Sequence, residues 1–204
     1  MRSRRSRTTQ DPRGSRTRRR LHVVRALLIA FLFSLLASEQ ADAARRGILG
    51  QPAPPLWANA WFNLPGNTGP VDLEAYRGQV VYLLFFQSWC PGCHRHGFPT
   101  LKKVRDHYAA RGDVIFIAVQ TVSEGFHTND EAAARRTMAQ FELEIPFGHD
   151  AGPDQGGSLT MPRYRAGGTP WTVIVDREGV VRFNGFHIKP GEAVKQIDRL
   201  LAMH

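Results

Sequence analysis

The clearest pattern in the chain is the run Val80–Phe86 (VVYLLFF), seven apolar residues with Gly78 just before it. A short continuous run of β-branched and aromatic residues predicts a strand buried on both faces. Val114–Val119 (VIFIAV) has the same character and predicts a second buried strand. Between them, Phe98, Leu101, Val104 and Tyr108 recur at helical spacing, and Gly112 ends that helix. Residues 129–141, with Ala132–Ala134, Met138 and Phe141, predict another helix. Trp171–Val175 (WTVIV), a turn over Asp176–Gly179 and Val180–Phe186 predict an antiparallel hairpin. Val194, Ile197, Leu200 and Leu201 mark one face of a closing helix that starts at about Gly191. Weaker signals predict a first strand over Trp57–Phe62, a helical turn within Val71–Gly78 and a short strand over Ile145–Phe147. Residues 44–56 form an extended Pro/Gly-rich lead-in, while Asn63–Pro70 and 150–160 have loop composition. Strands alternating with helices, then a hairpin and a helix, predict an α/β fold with a mixed sheet covered on both faces.

Charge changes the picture only at the N-terminus. The formal net charge of the 204 residues is +9. Residues 1–43 hold ten Arg and three acids, whereas the rest holds 17 basic and 15 acidic side chains. A near-neutral folded part without a basic stripe argues against nucleic-acid binding. The Arg-rich stretch precedes an apolar run at 26–37 (ALLIAFLFSLLA) and the small-residue site Ala41-Asp42-Ala43. That order predicts a secretory signal cut after Ala43, with 44–204 as the folded domain. The apolar run falls short of the ~20 residues of a spanning helix, so an uncleaved membrane anchor is the second reading.

The two cysteines, Cys90 and Cys93, stand in the single motif Cys90-Pro91-Gly92-Cys93. A disulfide scaffold would need more bridges, and a structural zinc site would need two separated ligand pairs. An isolated C-x-x-C between a buried strand and a helix points to redox chemistry. Unpaired N–H groups and the helix dipole there favour a thiolate at the first cysteine. Cys90 is thus the expected attacking thiol, and Cys93, one turn on, the resolving thiol. Trp89 shields one side and Pro91 limits the motif's freedom. His94, Arg95 and His96 follow, and either stabilise a thiolate or are solvated residues of the first turns. Glu124 and His127, in the loop after the second buried strand, can approach the cysteines; the plainer reading is that Thr128, Asn129 or Asp130 caps the next helix.

Ser88-Trp89-Cys90-Pro91-Gly92-Cys93 after a buried strand, with Thr169-Pro170 before a strand-turn-strand, resembles the thioredoxin superfamily. The stretch Asp72 to Val81, the export signal and Val173–Gly179 look more like its TlpA/ResA-type exported branch. The resemblance covers roughly residues 50–203. It implies a thioredoxin-like fold with an antiparallel N-terminal extension and an insertion after the third strand of the fold. It also implies a cis bond before Pro170, with Thr169 beside the cysteines; Trp89, Pro91, Thr169 and Pro170 then contact substrate. The implied activity is a periplasmic, monomeric thiol–disulfide oxidoreductase acting on protein disulfides. It needs no cofactor or metal beyond the Cys90–Cys93 pair and draws electrons from a membrane donor.

Three positions depart from the family pattern. Leu84 stands where thioredoxins bury an Asp, His96 where TlpA/ResA-type reductases carry a Glu, and Pro99 one place beyond the usual proline. His96, or His94 or Glu124, is then the candidate proton carrier. Two other functions compete. A thiol peroxidase would need a Thr where Gln87 stands and a Pro where Leu83 stands. A copper-binding metallochaperone would pair the cysteines with a His from among His94, His96, His127, His149 and His187.

Overall fold

Val80–Phe86 forms the central strand β2 of a computed structural model that describes residues 48–64, 66 and 69–203. These lie within one compact unit, residues 46–204. The expected signal or anchor, residues 1–43, lies outside the described residues. All seven side chains of β2 are buried, because both faces of the sheet are covered. Tyr82, Leu84 and Phe86 point to one face and Val81, Leu83 and Phe85 to the other, as strand alternation requires.

Among the described residues the sheet has six strands: β1 (Ala60–Phe62), β2, β3 (Val114–Thr121), β4 (Phe147–Asp150), β5 (Trp171–Val175) and β6 (Val181–Gly185). Their spatial order is β1-β4-β3-β2-β5-β6. β2, β3 and β4 run parallel, whereas β1, β5 and β6 pair antiparallel with their neighbours. This is the mixed sheet expected, with β1 as the antiparallel N-terminal extension. Helices α1 (Phe98–His107), α2 (Glu131–Gln140) and α4 (Pro190–Ala202) contribute Leu101, Ala134 and Ile197 to the core on the Tyr82–Leu84–Phe86 face. The opposite face is covered by Ile48, Leu56, Val71 and Tyr164, the last beside the short helix α3 (Thr160–Arg163).

Four boundaries differ from the sequence reading. β1 begins at Ala60, not Trp57, because the Trp57 N–H and C=O are both taken by the Thr160 hydroxyl at 3.1 Å. β4 is displaced from Ile145–Phe147 to Phe147–Asp150. Gly148, His149 and Asp150 look like a polar loop but are buried there. Gly148 admits the Trp61 ring where a Cβ would stand 2.9 Å from it, and Asp150 accepts backbone bonds from Gly152, Leu159 and Thr160. These bonds also turn part of the expected 150–160 loop into the lead of α3. The hairpin strand is Val181–Gly185, one residue shorter at each end than expected. The turn between β5 and β6 behaves as read: Asp176 accepts from Glu178 N at 3.0 Å and Val180 N at 2.8 Å.

The C-terminal ends of β2, β3 and β4 lie together because the three strands are parallel. The segments after them, 87–93, 122–130 and 151–159, therefore meet at one edge of the sheet.

Candidate active site

The segment after β2 closes a tight turn, with Cys90 N donating to Gln87 O at 3.0 Å. A single π turn, Cys93–Gly97, leads into α1, and Phe98 N bonds to Cys93 O. A π turn holds one residue more than an α turn. Pro99 follows it within helical backbone that runs unbroken from Pro91, just where the π turn has shifted the hydrogen-bond pattern. The one-place displacement of this proline from the family spacing matches the extra residue of the π turn.

The Thr169-Pro170 bond is cis. The Cys90 Sγ lies 3.4 Å from the Thr169 carbonyl, to which it donates. The Pro170 ring packs against the motif's helix so closely that a Cβ at Gly97 would stand 2.8 Å from Pro170 Cβ, and one at Gly92 3.2 Å from Pro170 Cδ. The two thiols are unlike. Burial pushes Cys90 up, but the Thr169 side chain, the Cys93 thiol and the N–H groups of Cys93 and Gly92 outweigh it and leave Cys90 below the ordinary thiol range. Cys93 is buried more deeply and is pushed up to about 12, although the Gln87 N–H donates to it. Leu84 lies under this region, with its Cδ1 3.5 Å from where a Gly97 Cβ would be.

The other expected site residues separate. Trp89 stands 46% exposed over Gly125, its Nε1 donating to Gln87 Oε1 at 3.2 Å. Pro91 is exposed, and its carbonyl accepts from Arg95 at 3.4 Å. His94 leans on Phe98 and Phe141, and its Nε2 lies 2.7 Å from Ser88 O. A carbonyl only accepts, so Nε2 carries a proton and is engaged on the backbone rather than on sulfur. His96 is exposed and faces His187, with ring centroids 5.6 Å apart. The Glu124 side chain is exposed, and its carbonyl accepts from Asn129. Of the three candidate caps, Asp130 caps α2 by accepting from Ala133 N at 2.7 Å. Among the described residues no three His, Cys, Asp or Glu side chains converge to hold a metal ion.

The sequence reading did not anticipate a polar wall behind the motif. Asn129, fully buried, accepts from Ser88 N at 2.8 Å and donates to Gln87 Oε1 at 2.8 Å. The Ser88 hydroxyl lies 2.6 Å from the Gln120 amide and 3.0 Å from Thr137 Oγ1. With its Oε1 toward that hydroxyl, Gln120 donates to His149 Nδ1. Burial lowers the His149 pKa, which keeps the ring neutral. The only sequence signal for this wall was polar residues at the C-terminal ends of apolar strands, a placement that also fits plain loop solvation.

A dithiol at a helix start, facing a cis-proline on a mixed sheet, defines a thioredoxin-like redox protein. The chain belongs to the redoxin family, whose model matches residues 49–201. Over 134 residues it is 31% identical to the protein DipZ of Mycobacterium bovis, covering 65% of this chain and 17% of DipZ. Over 111 residues it is 24% identical to the thiol-disulfide oxidoreductase ResA of Bacillus cereus, covering 54% of this chain and 57% of ResA. The chain thus spans less than two thirds of either relative. A solved thiol-disulfide isomerase from Corynebacterium glutamicum superposes with a TM-score of 0.65 at 28% identity, covering 74% of this chain and 98% of that one. A solved thioredoxin-like superfamily protein gives 0.68 at 28% identity, covering 75% and 97%.

Proposed function

We propose that the chain is an exported thiol–disulfide oxidoreductase that reduces disulfides of protein substrates through Cys90 and Cys93. The observation that carries this reading is the inequality of the two thiols, with Cys90 below the ordinary range and Cys93 at about 12. An attacking sulfur must be a thiolate at neutral pH, and a resolving sulfur must stay protonated until it is needed.

The Cys90 thiolate attacks one sulfur of the substrate disulfide. That S–S bond breaks, the other substrate sulfur leaves as a thiolate, and a Cys90–substrate disulfide forms. Cys93 then passes its proton, directly or through water, to the substrate thiolate already released, and attacks Cys90 Sγ. The mixed disulfide breaks, the second substrate thiolate leaves, and two electrons have passed from the dithiol to the substrate. The substrate backbone lies along Thr169-Pro170, with Trp89 and Pro91 beside it. A membrane thiol donor on the export side, in the periplasm, restores the dithiol. No cofactor enters these steps, and the chain works as a monomer, either soluble after cleavage near Ala43 or anchored by its N-terminus.

The test is disulfide reduction by the purified chain and by Cys90→Ser. Loss of turnover in the variant is expected; equal rates overturn the proposal. Below about pH 10 alkylation should reach Cys90 alone, since Cys93 remains a thiol until pH approaches about 12. A redox titration fixes the direction: a potential near the reducing end supports reduction, one near the oxidising end supports disulfide donation.

A further inference from the structure

Each backbone polar group of the Gln87–Cys90 turn that bears on the thiols has a partner. Gln87 O accepts from Cys90 N at 3.0 Å. The Ser88 backbone is held on both of its flanking peptide planes: the N–H by Asn129 Oδ1 at 2.8 Å, the C=O by His94 Nε2 at 2.7 Å. The two grips come from different elements. Asn129 precedes α2 and is locked by donating to Gln87 Oε1 at 2.8 Å and to Glu124 O at 3.3 Å. His94 belongs to the π turn and is wedged against Phe98 and Phe141, with centroids 6.1 and 5.5 Å away. Hydrogen bonds weaken steeply off-axis, so one on each of the two peptide planes that meet at the Ser88 Cα restrains the backbone angles there.

We propose that His94 and Asn129 are positioning residues that clamp the Ser88 backbone, one on each adjoining peptide, and thereby hold Cys90 Sγ against the N–H groups of Gly92 and Cys93. This inference rests on Cys90 being the attacking thiol. The clamp makes His94 a hydrogen-bond donor to the backbone, engaged on Ser88 O and not on sulfur. With the clamp released the turn shifts, Cys90 Sγ leaves the amide groups that stabilise its thiolate, and the thiol becomes less acidic.

The test is the pH profile of Cys90 alkylation in the full-length reduced chain, comparing His94→Ala, His94→Gln, Asn129→Ala and Asn129→Asp. A Gln amide nitrogen reaches the place of an imidazole Nε2, and an Asp oxygen keeps the Ser88 N–H contact while losing the donation to Gln87. Both Ala variants should move the profile upward and slow alkylation at neutral pH about tenfold, one pH unit of thiol acidity being one decade of thiolate. The rate well above the midpoint should not change. His94→Gln should restore the native profile, and Asn129→Asp, which adds a buried negative charge near the thiolate, should move it upward as Asn129→Ala does. A His94→Gln profile that coincides with His94→Ala overturns the clamp in favour of imidazole charge. An unmoved His94→Ala profile overturns it outright, whatever the folding of the Asn129 variants. If alkylation persists in Cys90→Ser and vanishes in Cys93→Ser, the parent assignment fails instead.

Discussion

The turn that carries the dithiol rests on two unlike supports. Toward β3 and α2 it meets Asn129, Gln120 and Thr137, all buried and all hydrogen-bonded. Toward β5 and the first turns of α1 it meets Leu84, Phe98 and Pro170, which offer no side-chain donor or acceptor. The polar wall fixes directions, because hydrogen bonds are directional. The apolar floor fixes no direction but excludes water and charge, which disfavours a thiolate. The more deeply buried Cys93 is high and Cys90 is low, although Cys90 borders Thr169 and Pro170 on the apolar side.

Four substitutions break or sharpen this contrast, taken from the largest expected effect downward. Phe98→Ala removes a ring that stacks on Phe141 at 4.4 Å and meets Phe86 at 4.9 Å. It should cost about 3–5 kcal/mol in denaturant unfolding, as large-to-small core changes do. Leu84→Asp puts an acid into the floor and should cost about 3 kcal/mol at neutral pH. Burial raises that carboxyl above its unfolded value. The penalty should therefore be smallest below the ordinary carboxylate range and grow as pH rises through the raised native value, which denaturation midpoints at acid and neutral pH compare. A penalty that shrinks as pH rises would mean the floor is not apolar. Gly97→Ala drives a methyl into the Pro170 ring and should cost about 1–3 kcal/mol. Its turnover should suffer more than its stability, since the displaced element borders Cys90. Trp89→Phe loses only the Nε1 bond to Gln87 at a half-exposed ring and should change unfolding by about 0.5 kcal/mol.

How far the sequence could be read follows the same division. The floor was legible: Val80–Phe86, Val114–Val119 and the helical spacing of Phe98, Leu101 and Val104 are hydrophobic periodicities, and burial follows from them directly. The motif at the end of β2 was legible because strand, C-x-x-C and helix are local. The wall was not. Asn129 stands among three plausible helix caps, and only the meeting of three strand ends shows that Asp130 takes the cap while Asn129 turns inward. His94 read as a charge near a thiol because sequence distance to Cys93 is visible and the bond back to Ser88 O is not. β4 was misplaced for a related reason, since Gly-His-Asp is polar in sequence and becomes buried only through partners more than one element away.

The π turn between Cys93 and Gly97 bears on how such sites are found by pattern. A ruler that counts residues from the second cysteine to the next proline finds this chain one place out. The turn absorbs that place, and Pro170 still packs on Gly97. Helix winding here acts as a length adjuster, which lets the motif and the helix body drift apart by one position in sequence while remaining in register in space.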